Sequence, residues 1–181
     1  MRRINILYVH GFGSQVDPNS DKRIALAKVA DVAAVAPDYT TPYDAVMRKV
    51  QPYLAGVDLL LGTSMGGFLV TRLAENTGIP FVAINPVLQT RKTLSKYIGT
   101  HQDHTGRTFS LSKETVGTYP DFLPCAEKGM VLLDMGDELL DSQETKVALE
   151  PLMTVHTFAG GSHRFSHMDE AMPLIKSFIT V

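Results

Sequence analysis

The sequence predicts an α/β fold of three layers, with a six-stranded, mostly parallel sheet between helices. Two observations carry this. Short apolar runs rich in β-branched residues recur at Ile4 to Val9, Val32 to Ala36, Val57 to Leu61, Ile79 to Ile84, Met130 to Leu133 and Met153 to Phe158. Runs of that length suit strands buried on both faces. Between most of them lie helically spaced apolar residues: Ile24 to Val29; Val46, Val50, Tyr53 and Leu54; Phe68, Leu69 and Leu73; Val147 and Leu149; Leu174, Ile175, Phe178 and Ile179. Strand alternating with helix calls for parallel pairing through crossover helices. A length of 181 residues agrees with one domain over residues 1–181.

Boundary residues support several of these elements. Thr41-Pro42-Tyr43-Asp44 and Asp141-Ser142-Gln143-Glu144 are helix starts, and Gly78 is a helix end. Pro52 and Pro173 must end, start or kink the helices they fall in. Residues 85–129 break the alternation. A structureless loop that long is rare in a compact domain, so the expectation is a helix near Lys92 to Ile98 and a small lid or edge insertion over residues 86–128.

Composition narrows the class of function. Apolar residues make up 44% and charged residues 20%, which excludes disordered and collagen-like chains. Seventeen Lys and Arg against 19 Asp and Glu leave a net charge near −2, no footprint for nucleic acid or anionic lipid. Cys125 is the only cysteine, so no intrachain disulfide or multi-Cys metal site can form. Neither a cleavable leader nor a run of ~18 apolar residues is seen. The expectation is a cytoplasmic protein with no membrane span.

The chemistry centres on Leu59-Leu60-Leu61-Gly62-Thr63-Ser64-Met65-Gly66-Gly67-Phe68, where a buried strand meets G-x-S-x-G and passes into a helix. A bare G-x-S-x-G arises by chance in about one chain in fifteen to twenty of this length, so its strand-turn-helix setting is what gives it weight. Ser64 is then a nucleophile on a strained turn, with glycines where strand and helix approach. His10-Gly11-Phe12-Gly13 follows the first strand and can aim the Phe12 N–H at that serine; with the Met65 N–H it makes a two-donor oxyanion hole. His163, in Gly160-Gly161-Ser162-His163-Arg164-Phe165, follows the last strand and is the expected base, with His167 as competitor. Asp137, in Asp134-Met135-Gly136-Asp137-Glu138, follows the strand before and is the expected acid, with Asp134 as alternative. The order Ser64, Asp137, His163 is the one an α/β-hydrolase uses.

Together with Asn85-Pro86-Val87, these motifs make nearly the whole chain resemble the small bacterial YqiA/YcfP-type esterases of the α/β-hydrolase superfamily. The resemblance implies a six-stranded core, no large cap, and esterase or thioesterase activity on acyl substrates. By motif it implies Ser64 as nucleophile, Asp137 as acid and His163 as base. Similarity weakens after the first residues of the 85–129 segment, which therefore bears on substrate preference.

The expected function is hydrolysis of small carboxylic esters or thioesters through an acyl-enzyme, with no cofactor and no metal. The alternatives are an inactive hydrolase fold that binds a ligand, and an acyltransferase or amidase using the same triad. His10 is expected to be a hydrogen-bonded brace, His101-Gln102-Asp103-His104 a solvated loop, and Cys125 inert.

Overall fold

The computed structural model describes residues 3–103, 106–125 and 127–179. The chain runs through β1 (Ile4–Val9), α1 (Asp21–Ala27), β2 (Ala30–Val35), α2 (Tyr43–Val50), β3 (Leu59–Thr63), α3 (Met65–Thr77) and β4 (Phe81–Ile84). It continues through α4 (Thr90–Ser95), β5 (Gly99–Gln102), β6 (Thr108–Leu111) and α5 (Lys113–Gly117), then β7 (Gly129–Asp134), α6 (Ser142–Leu149), β8 (Thr154–Phe158) and α7 (Met168–Ile179). Six strands make one sheet in the order β2-β1-β3-β4-β7-β8, every pairing parallel. Strands β5 and β6 form a separate antiparallel hairpin.

Successive strand residues face opposite sides, and this sorts the core into two layers. Ile6, Tyr8, Leu59, Leu61, Val82 and Ile84 pack against Ala25 and Leu26 of α1 and Met168, Ala171, Met172 and Ile175 of α7. Leu7, Val9, Leu60 and Ala83 pack on the other side against Val46 and Val50 of α2, Phe68 and Leu69 of α3, and Leu149 of α6. Every residue of β3 is buried, and each leucine of its Leu59-Leu60-Leu61 run contributes about 1.5–3 kcal/mol by leaving water. The sheet is thus anchored where Ser64 emerges.

Boundaries move by a few residues for local reasons. Pairing Ile4 with Ala30 carries β2 back to Ala30. Pro42 rather than Thr41 precedes α2, its carbonyl accepting from the Ala45 and Val46 N–H groups. Asp141 caps α6 by accepting the Glu144 N–H at 2.8 Å, and Gly78, with φ 75°, closes α3. Pro52 lies in a single 3-10 turn after α2, whereas α7 runs through Pro173.

In the 85–129 segment, α4 stands close to the expected helix, while the β5–β6 hairpin and α5 were not anticipated. All four β5 residues are exposed, so no burial pattern marks the strand. Aromatic rings tie this segment to the loop after β1: Tyr97 stacks on Phe12 at 5.0 Å and Phe109 meets it edge-on at 5.5 Å. Tyr119 is fully buried and donates its hydroxyl to Thr41 O at 2.7 Å. Among the described residues no helix is long and apolar enough to cross a membrane.

Candidate active site

Ser64 alone separates β3 from α3, with φ 57° and ψ −119°, a region that residues with a Cβ rarely occupy. Its backbone is fixed on both sides: the N–H donates to Ile84 O at 3.0 Å, and its carbonyl accepts from Phe68 N at 3.1 Å and Val87 N at 3.2 Å. A Cβ on Gly62 would collide with the Gly66 carbonyl, and one on Gly66 with the Val9 carbonyl. Only glycine at both positions lets α3 begin tight against β1 and β3.

His163 and Asp137 come together from the loops after β8 and β7. His163 Nδ1 lies 2.8 Å from Asp137 Oδ2, with side chains 16% and 1% exposed. Burial opposes ionisation of Asp137, yet hydrogen bonds from His163 and the Leu140 and Leu139 N–H groups hold its pKa below the usual carboxylate value. An ionised Asp137 takes the Nδ1 proton in its hydrogen bond and leaves Nε2 as the free lone pair. The adjacent Glu138 accepts the His163 backbone N–H at 2.9 Å.

The two competitors pair with each other instead. His167 Nδ1 lies 2.7 Å from Oδ1 of Asp134, whose side chain is fully buried. This hydrogen bond raises the His167 pKa. The other Asp134 oxygen accepts the Ser162 N–H at 3.1 Å and the Ser166 N–H at 2.6 Å. Asp134 therefore folds the loop that bears His163, and a Cβ on Gly161 (φ 78°) would strike its carboxylate.

Asn85 joins these loops, and sequence reasoning noted it only within a motif. It is buried, with φ 41°. Its Oδ1 accepts the Asp134 N–H at 2.9 Å, and its Nδ2 donates to Ser162 O at 3.0 Å and His163 O at 3.2 Å.

Ser64, His163, Phe12 and Met65 line one cavity of about 690 Å³. Among the described residues no hydrogen bond joins Ser64 Oγ to His163, and the Phe12 and Met65 N–H groups have no protein acceptor. His10 also lines the cavity, and here the expected brace is corrected: its buried Nε2 has no partner, and the ring packs on Tyr8 at 4.4 Å. Burial is the main reason its pKa falls to about 4, with Arg23 and Lys22 adding to it and Asp17 opposing. Cys125 is a half-buried free thiol. Among the described residues no group of three metal-ligating side chains converges; His104 lies outside them.

Comparison with known proteins follows this geometry. The model of the uncharacterised protein family UPF0227 matches residues 5–180. A UPF0227 protein of Shewanella sp. strain MR-4 is 26% identical over 183 residues, covering 96% of this chain and 98% of the relative. Est1E from Butyrivibrio proteoclasticus superposes with a TM-score of 0.68 at 14% identity, covering 99% of this chain and 88% of that one. Alpha/beta hydrolase domain-containing protein 10 from mouse gives 0.66 at 16% identity, covering 99% and 92%. The fold is that of the α/β-hydrolases.

Proposed function

This chain belongs to the UPF0227 family, and from that premise we propose that it is a serine hydrolase of small carboxylic esters or thioesters. The observation that carries the reading is a strained serine at the crest of β3 sharing one cavity with a histidine hydrogen-bonded to a buried aspartate. His163 Nε2 takes the Ser64 proton as Oγ attacks the acyl carbonyl, and Asp137 holds the resulting imidazolium. The Phe12 and Met65 N–H groups hold the oxyanion. His163 passes its proton to the leaving group, and an acyl-Ser64 ester remains. Water, deprotonated by the same imidazole, then releases the acid and restores the serine.

In this reading residues 1–181 form a single domain and residues 86–128 a small lid beside the site. No step calls for a metal or cofactor, and the binding partner is a small acyl substrate. A fluorophosphonate probe and 4-nitrophenyl butyrate test it together. The wild type is expected to be labelled at Ser64 and to hydrolyse the ester, with both lost in Ser64→Ala. Equal labelling of the variant would remove Ser64 as nucleophile. Acyl transfer to an added alcohol faster than to water would reassign the enzyme as a transferase.

A further inference from the structure

We propose that the cavity at Ser64 selects anionic substrates, with Lys22 and Arg164 on one flank and Lys96 on the other receiving a carboxylate or phosphate group carried by the ester. The inference rests on the serine hydrolase reading and adds the substrate class.

The charges lining the cavity are unbalanced. Lys22, Lys96 and Arg164 face a single acid, Glu138. Glu138 already accepts the His163 backbone N–H, which together with its other hydrogen bond keeps its pKa low and its carboxylate engaged. Among the described residues, the side chains of Lys96 and Arg164 form no ion pair and no hydrogen bond. Lys22 is half-buried and donates to the Arg164 carbonyl rather than to a carboxylate. Burial and the nearby Arg164 charge weaken its hold on its proton, while Asp21 and Asp134 act the other way. The lone pairs of Asp134 are engaged by Ser162, Ser166 and His167, and its charge acts on Lys22 from a distance.

The positive field extends to the cavity wall. His10 is held neutral there chiefly by burial, with Arg23 and Lys22 adding to it and Asp17 opposing. The chain as a whole carries a net charge near −2, so this concentration of cations runs against its overall sign. Like charges gathered round a partly desolvated cavity repel one another until an anion enters, and low-dielectric walls focus that field on the ligand. Lys22 is on α1 and Arg164 in the His163 loop, whereas Lys96 directly follows α4, and α1 and α4 pack on opposite faces of the sheet. Either the acyl chain or the leaving group can therefore carry the charge.

Two substrate pairs test this at 20 mM and 500 mM salt. For the acyl side, compare 4-nitrophenyl hexanoate with the 4-nitrophenyl monoester of adipic acid. For the leaving group, compare the butyrate esters of 4-hydroxyphenylacetamide and 4-hydroxyphenylacetate. In at least one pair kcat/KM is expected to favour the anion by about two- to fivefold at low salt, the range of one exposed ion pair. That ratio should shrink at high salt, and fall towards one in Lys22→Met with Arg164→Gln, or in Lys96→Met. Neutral esters preferred or equal in both pairs at low salt would overturn the proposal. The salt series on wild type needs no variant to fold. Titration of Ser64→Ala with adipate, 4-hydroxyphenylacetate and phenyl phosphate separates the two readings. Salt-sensitive anion binding without any ester turnover would remove the hydrolase and keep the anion site. Turnover with neither preference nor anion binding would do the reverse. Phenyl phosphate binding more tightly than both carboxylates would identify phosphate as the group.

Discussion

Replacing Asn85 should loosen the site and the fold together, because one buried amide ties the strand end beneath Asp134 to the loop that carries His163. In Asn85→Ala the Asp134 N–H loses its acceptor while buried, a loss of about 1–3 kcal/mol, and the two donations to Ser162 O and His163 O remove about 0.5–1.5 kcal/mol each. The backbone at φ 41° adds about 1 kcal/mol, since alanine tolerates that conformation less well than asparagine. A total of about 3–7 kcal/mol is a large share of the ~5–15 kcal/mol that stabilises a typical domain. With a urea m-value of about 2 kcal/mol/M, the unfolding midpoint should drop by about 1.5–3.5 M. Asn85→Asp separates hydrogen bonding from size. Its second oxygen would face the Ser162 and His163 carbonyls, so the introduced carboxyl should be held protonated and its folded pKa raised. Its deficit relative to wild type should then shrink below about pH 4, where the unfolded carboxyl is protonated too, and grow as pH rises through the folded value. A midpoint shift below about 0.5 M for the alanine variant, or an aspartate variant matching wild type at pH 7, would refute the account of Asn85 as the strap across these loops.

His10 has a folded pKa of about 4, below its ordinary value. The unfolded chain therefore binds more protons between about pH 4 and 6.5, and stability, full above that window, should fall by about 2 kcal/mol across it after allowance for solvent screening. Urea midpoints against pH should show this slope in wild type and lose it in His10→Phe. Asp137→Asn should keep a near-native midpoint while lowering kcat by about 10³–10⁴ through the wrong imidazole tautomer. Asp134→Asn should lower kcat far less, because its partner His167 does not line the cavity; the reverse pattern would exchange the roles of the two acids. Tyr97→Ala removes a ring from the Phe12 stack, worth about 0.5–1.5 kcal/mol. On the proposed mechanism it should lower kcat for 4-nitrophenyl butyrate more than it raises KM, and an unchanged kcat would disconnect α4 from the oxyanion loop.

The sheet was legible because its strands are buried on both faces: Leu59-Leu60-Leu61 can be little else than an inner strand beside helical neighbours. Ser64 was legible for a related reason, since two helix-contacting glycines leave a spacing that can be read. His163 and Asp137 followed from their places after β8 and β7. Asn85 and Glu138 were not legible as positioning groups, because they act on backbone atoms 78 and 25 residues away, and no local spacing encodes such contacts. Asp134 and His167 appeared as rivals for the proposed catalytic pair, and only the folded loop brings them within reach of each other. The β5–β6 hairpin escaped notice because its first strand is polar, exposed and without alternation.

Phe12 has two attachments that pull in different directions. Its ring is gripped by Tyr97 and Phe109, while its amide, on the proposed mechanism, faces the reacting carbonyl. On the proposed mechanism, widening the cavity by trimming Tyr97 would therefore cost turnover as it admitted bulkier substrates. If bulkier esters were wanted, the better position to reshape on that mechanism is Leu139, an exposed apolar residue lining the same cavity and outside the aromatic cluster that grips Phe12.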